Sequence, residues 1–251
     1  MKGYKGFVNE FDLLKSIINL IAKSAPRSSY SPLSLGEYSF YFDNLLAENE
    51  VRLINEQIDS MNWLPVGIDG ILKNYKENDD IGSWRATCYE PELAEALWNR
   101  IKSAFPSIRV MNEMSPTDWD GSYEWEPIGI NPAFRFIRYN KNELLIPHYD
   151  APYIQDYNIR SLSTLVLYLS DNQNSGCTRF LRDKQIELPL SERNYDDWTE
   201  EASEDFVLFK VSPSKGDALI FDHRILHDSE RMKDDQVKTI IRTDIMYRRI
   251  M

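Results

Sequence analysis

The sequence predicts a mainly β, α+β fold: an antiparallel sandwich or barrel built from the second half, with helices of the first half packed on its outside. Two observations carry this. After Pro132 the chain runs through AFRFIRYN, ELLIPHYD, STLVLYLS, CTRFLRD, DFVLFKVSP, DALIFDH and VKTIIRTDIMYRR, short β-branched or aromatic stretches separated by polar turns. No long helical pattern lies between them, so neighbouring strands must pair antiparallel. Before residue 105, apolar residues recur instead at helical spacing.

Taken in order, residues 8–24 place Leu13, Leu14, Ile17, Ile18 and Ile21 along one helical face. Asp12 and Lys15 interrupt the apolar run, which reads as an amphipathic helix and not a secretory signal. APRSSYSPLSLG breaks the pattern with two prolines and four serines and reads as a linker. LLAENEVRLINEQIDSM (45–61) and PELAEALWNRIKSAF (91–105) read as helices with early acidic residues, so helices are expected to dominate the first 105 residues. The organisation expected is one domain over 1–251, with an N-terminal helix and linker (1–35), a helix-rich support (36–130) and a β core (131–251). One connection is long and acidic, RDKQIELPLSERNYDDWTEEASED (182–205). Such segments serve as lids or as solvated surface loops.

Composition narrows the function classes. The 251 residues carry 40 Asp and Glu against 29 Lys and Arg, a net charge of −11, and no basic stripe offsets it, which argues against a nucleic-acid partner. With 42% hydrophobic residues, including 14 Tyr, 11 Phe and 6 Trp, the chain can fill a core and is neither disordered nor collagen-like. Its two cysteines, Cys88 and Cys177, are expected to be reduced thiols. No apolar run reaches membrane-spanning length, so no membrane partner is expected and the cytoplasm is the expected location.

All three histidines, His148, His223 and His227, fall in the strand-rich half. His148 and Asp150 are two apart in IPHYD, and on a strand they would project from the same face. His227 follows the strand DALIF, where a closing sandwich could return it to that pair. Two His and one carboxylate around a metal with open positions suit non-haem Fe(II) and oxygen activation, although an isolated H-x-D is also a common hydrogen-bonded pair. In the terminal strand, Lys238, Arg242 and Asp244 occupy alternate positions and share a face. Either these cations are buried and need an anion such as a dicarboxylate co-substrate, or they lie on a solvated face paired with Asp244 or the acidic segment.

Four stretches, FRFIRYNKNELLIPHYD, STLVLYLSDNQNSGCTRFL, KGDALIFDHRILHDSE and VKTIIRTDIMYRR, resemble in that order the prolyl 4-hydroxylase-like branch of the Fe(II)/2-oxoglutarate-dependent dioxygenases. The likeness is close over about residues 130–249, and GEYSFYFDNLL with SWRATCYEPELAEALWNRI extends it weakly from about residue 36. It implies a double-stranded β-helix core (jelly roll, cupin-like) with N-terminal flanking helices. It also implies Fe(II), 2-oxoglutarate and O₂, with ascorbate as a possible stimulant. By this resemblance His148, Asp150 and His227 match the catalytic iron ligands, while Lys238 and Tyr139 match the holders of the far carboxylate of 2-oxoglutarate. Thr178 matches the small hydroxyl residue of the family's Gly-Gly-x-Thr turn. Arg242 matches an arginine that serves co-substrate or substrate, and His223 is read as supporting the site or the fold.

Two departures stand out: HDSERMKDDQVK lacks the Gly and Pro usual after the distal histidine, and Cys177 replaces a frequent acid. Asp150 argues against halogenation, whose enzymes replace that carboxylate. The activity implied is hydroxylation of an unactivated C–H with release of succinate and CO₂. A small amino-acid-like or peptide-derived molecule is the favoured substrate. The alternatives are a protein prolyl or other side-chain hydroxylase and an iron-binding module without turnover. Arg85, Trp84 and Tyr153 are candidate pocket residues.

Overall fold

The terminal stretch KTIIRTDIMYRR, rich in β-branched residues and without Gly or Pro, forms the longest strand, β14 (Lys238–Arg249), which is the spine of the molecule in this computed structural model. The structure describes residues 15–23, 28–36, 38–73, 80–111, 123–172, 174–185, 188–189, 192, 198–233 and 235–250. Strands and helices are numbered in chain order. On one side, the first half of β14 pairs with β7 (Ala133–Tyr139) and its second half with β6 (Tyr123–Ile130). On the other side β9 (Ile159–Tyr168) runs along it.

Beyond β9 lie β12 (Ala218–Asp222), β2 (Phe40–Asp43) and β1 (Ser29–Pro32); beyond β7 lie β4 (Ile81–Tyr89) and β3 (Leu64–Gly67); β5 (Arg109–Met111) pairs with β6. These ten strands form the major sheet. A minor sheet holds β11 (Val207–Val211), β10 (Thr178–Leu181), β13 (His227–Ser229) and β8 (Leu145–His148) in that order, every pair antiparallel. This is the expected jelly-roll, double-stranded β-helix core.

Alternation along the strands of the major sheet divides the molecule into two apolar layers. Phe134, Phe136, Leu165, Leu167, Ile220, Ile241 and Ile245 point outward and join the helices in one buried cluster. Ile137, Tyr139, Val166, Tyr168, Leu219, Phe221 and Ile240, one residue out of phase, join Phe180 and Val211 of the minor sheet in a second. Each such side chain removed from water contributes about 1.5–3 kcal/mol of gross stabilisation.

The outer layer is closed by α1 (Lys15–Lys23), α2 (Glu48–Ile58) and α3 (Pro91–Ile101). Val51, Ile54 and Ile58 form the inner stripe of α2, and Leu93, Leu97 and Ile101 that of α3. Glu50 accepts the Ala47 backbone N–H at 2.8 Å, capping α2, and pairs with buried Arg100 of α3 at 2.6 Å.

The expected strands of the second half are found. The first half differs in part: besides α1 to α3 it holds β1 to β4, and residues 36–130 supply strands to the major sheet as well as two helices. The linker APRSSYSPLSLG contains edge strand β1, where Pro32 costs no interior ladder bond. The first helix begins at Lys15 in the structure, and the stretch of it expected over residues 8–14 lies outside the described residues. Both cysteines are buried free thiols, as expected. No helix among the described residues is long and apolar enough to cross a membrane.

Candidate active site

His148 ends β8 and His227 opens β13, and the register sets them directly opposite one another with ring centroids 4.3 Å apart. Each Nδ1 lies beside a main-chain carbonyl two residues earlier, Ile146 O at 2.8 Å and Ile225 O at 2.9 Å. A carbonyl only accepts, so Nδ1–H is the donor on each ring, and Nε2 is the nitrogen that faces Asp150. Asp150 follows His148, and its backbone N–H donates to His223 O at 3.1 Å. One Asp150 carboxylate oxygen is 3.9 Å from His148 Nε2 and the other 3.6 Å from His227 Nε2. All three ligand atoms lie within 4.8 Å of one another, an arrangement that can hold one divalent cation on a single face.

Electrostatics prepare these groups. Burial, reinforced by His148, pushes His227 down to about 3 and keeps it a neutral ligand. Burial alone would raise Asp150, but Arg242 and then the histidines outweigh it and hold the carboxyl well below its usual range. Arg242 reaches Asp150 at 2.8 Å and Asp244 at 3.2 Å.

Behind Asp150 runs a buried chain of hydrogen bonds. The Thr164 hydroxyl donates to Asp150, so the His223 Nδ1–H must donate to Thr164 Oγ1, at 3.0 Å. His223 Nε2 then accepts from Ser161 Oγ at 3.0 Å. Burial lowers the His223 pKa and favours this neutral form. His223 thus supports Asp150 from behind and stands apart from the cluster of three.

In front lies a cavity of about 380 Å³ between the sheets. Its floor is the inward face of the major sheet, where register sets Lys238 opposite Tyr139, Ile240 opposite Ile137, and Arg242 opposite Arg135. Lys238 is 1% exposed, its Nζ donates to Ser229 Oγ at 2.7 Å, and it stands 4.9 Å from the Tyr139 ring centroid. It has no ion-pair partner among the described residues, and burial lowers its pKa to about 8. The alternative of a solvated face for Lys238 and Arg242 is therefore excluded. Thr178 lines the cavity and shares a 2.9 Å hydrogen bond with Tyr168. Next to it, Gly176 adopts φ +74°, and a Cβ there would collide with Met232 and crowd the Lys238 stem.

The structure thus brings His148, Asp150, His227, Tyr139, Thr178, Lys238 and Arg242 to one cavity. Of the candidate pocket residues, Arg85 lines it. Trp84 instead donates to Glu143 at 2.9 Å, and the Tyr153 backbone N–H donates to Ser161 Oγ at 2.7 Å. Two participants were missed. Ser229 sits two residues after His227 on β13, a spacing that could have flagged it; Thr164 meets Asp150 only through sheet register, for which sequence holds no signal.

The acidic segment is not a lid over this cavity where it is described: no described residue of 182–205 lines it. Ala202 packs instead with Leu181 and Leu226, with Trp198 and Phe206 against them, and Glu201 and Glu204 face Arg179 at 3.7 and 3.4 Å. Residues 186–187, 190–191 and 193–197 of the segment lie outside the described residues.

Residues 137–240 match the phytanoyl-CoA dioxygenase (PhyH) family, a span from β7 to the start of β14 that includes every candidate residue named above except Arg242, Arg85 and Trp84. The match bears out the resemblance to dioxygenases read from the sequence. Among curated proteins none matches this chain. Similar solved structures include a viral collagen prolyl hydroxylase from Paramecium Bursaria Chlorella virus-1 in complex with 2-oxoglutarate (16% identity, 84% of this chain and 97% of that one, TM-score 0.46). They also include HygX from Streptomyces hygroscopicus with nickel and 2-oxoglutarate bound (11% identity, 84% and 82%, TM-score 0.45). A third is a prolyl hydroxylase from Trichoplax adhaerens in complex with a hypoxia inducible factor peptide fragment (15% identity, 92% and 89%, TM-score 0.48).

Proposed function

With the chain a 2-oxoglutarate-dependent dioxygenase, we propose that it hydroxylates an unactivated C–H of a small amino-acid-like or peptide-derived molecule, converting 2-oxoglutarate to succinate and CO₂. His148, Asp150 and His227 hold Fe(II), and Lys238, Tyr139 and Ser229 take the far carboxylate of the co-substrate. The observation that carries the ligand reading is the paired orientation of the two rings, whose Nδ1 protons are both committed to carbonyls. The co-substrate reading is supported by Lys238, a buried cation without an ion-pair partner among the described residues.

When bound, Fe(II) would activate O₂, the four-electron oxidant, which takes two electrons from 2-oxoglutarate as it is decarboxylated to succinate and CO₂ and two from the C–H that is hydroxylated. The chain's own residues prepare the site. His227, kept neutral by burial, binds without releasing a proton. Arg242 and Thr164 fix the Asp150 carboxylate from two sides, as supporting groups around a metal do. Lys238 forms a charge-assisted pair with the co-substrate in a site from which Ile137, Val166, Phe221 and Ile240 exclude water. Thr178 and Arg242, also on the cavity wall, complete the polar contacts available to the co-substrate. The small substrate class is supported by the cavity volume, which lies near the low end of ligand sites, about 300–1,000 Å³.

The test is succinate release with Fe(II) and 2-oxoglutarate across free and N-acylated amino acids and prolyl peptides. Stimulation by a small molecule is expected; stimulation by peptides alone would overturn the substrate class.

A further inference from the structure

Arg85 is a cation that the dioxygenase reading leaves without a task. It lies on β4 opposite Ile137, so it extends the cavity floor one strand beyond the row of Ile240 and Ile137. One Nη group donates to Gly70 O at 3.1 Å, which ties the guanidinium to the turn after β3. Its Nε is buried with no hydrogen-bond partner, and no carboxylate pairs with it among the described residues. A guanidinium held in this way is costly unless an acceptor arrives.

The acids around the cavity are already engaged. Asp69 is 2.8 Å from Lys73, Asp228 is 2.5 Å from Arg179, and Asp150 faces Arg242 and the metal position. 2-Oxoglutarate, placed on Lys238 of β14, would neutralise that lysine and leave Arg85, two strands away on β4, without an ion-pair partner. Burial, and then the like charges of Arg135 and Arg242, already lower the Arg85 pKa, as expected for an electropositive chamber inside a protein of net charge −11.

We propose that Arg85 is the anchor for the substrate, and that the substrate is a small molecule with an apolar body and an oxyanion group, a carboxylate or a phosphate. Planar guanidinium edges pair with both groups through two parallel hydrogen bonds. The body would lie over Ile137, Leu145 and Ile240 toward the metal position. This inference rests on the dioxygenase reading of the cavity.

The test loads the full chain with Zn(II), so that nothing turns over, and measures 2-oxoglutarate binding to the wild type first. Its absence overturns the dioxygenase reading and this inference together. The loaded protein is then titrated by calorimetry with N-acetylleucine, N-acetylleucinamide and isopentyl phosphate. One anion at least should bind ten times more tightly than the neutral amide, and the tighter anion identifies carboxylate or phosphate. Arg85→Gln should abolish the preference, with 2-oxoglutarate affinity unchanged, while Arg85→Lys keeps part of it. Four outcomes overturn this inference alone: equal binding of the amide, no binding of either anion to wild type, a preference that survives Arg85→Gln, or a loss of 2-oxoglutarate affinity in Arg85→Gln.

Discussion

Lys238 Nζ stands 2.7 Å from Ser229 Oγ, and that hydroxyl is the polar partner of a fully buried ammonium with no ion pair among the described residues. Arg242, two positions along the same face, is by contrast already bound to Asp150 and Asp244. The two cations therefore have different duties. Removing a partner of a buried charge pair costs about 2–5 kcal/mol, so Lys238→Met should raise the 2-oxoglutarate requirement at least tenfold at unchanged metal affinity. Arg242→Met should chiefly weaken metal binding, by releasing Asp150. Titrations of both ligands against both variants check the division, and an unchanged 2-oxoglutarate requirement in Lys238→Met moves the role to Arg242.

The same lysine gives a pH signature. Its folded pKa is about 8 against an ordinary 10.5, so between those values the unfolded chain binds more protons than the folded one. Stability of the metal-free protein should gain a rising contribution from pH 8 to pH 10.5. Melting curves of wild type and Lys238→Met across that range should differ by this slope, and parallel curves would contradict it.

Thr164 couples Asp150 to His223. Thr164→Val keeps the shape but leaves the His223 Nδ1–H without its acceptor, a cost of about 1–3 kcal/mol in stability. Supporting groups of this kind typically contribute about 10–100-fold to metal affinity, and a fall in that range is expected by competition with a chelating dye.

Arg179 and Asp228 form a buried pair, 2% and 1% exposed, just behind His227. Arg179→Met should destabilise the fold by about 3–5 kcal/mol because it leaves Asp228 charged and unpaired. It should also loosen residues 198–206, read as faster proteolysis there, without a change in 2-oxoglutarate affinity. A variant as stable as wild type would show that the segment is held by Trp198 and Phe206 alone.

The β core was legible because β7, β9, β12 and β14 are short runs rich in β-branched, aromatic and other apolar residues between polar turns, as strands buried on both faces should be. The H-x-D pair and the later histidine were legible because a chain with three histidines offers few alternatives. Strands β1 to β4 were not: runs such as FYFD and LPVG are too short for their period to show, and their pairing depends on distant partners. Of the acidic segment, the described residues 198–206 are fastened by Ala202, Trp198 and Phe206, contacts that length and charge do not announce. Thr164 was invisible for the same reason as β4: register, not local sequence, brings it to Asp150.

The proposed chemistry requires one metal held by His148, Asp150 and His227. The most direct measurement is Fe(II) titration of wild type, His227→Ala and His223→Ala under anaerobic conditions, with circular dichroism to confirm the fold. One equivalent should bind to wild type and to His223→Ala, the latter with moderately lower affinity, whereas His227→Ala should lose stoichiometric binding. Full binding by a folded His227→Ala, or loss only in His223→Ala, would contradict the ligand assignment.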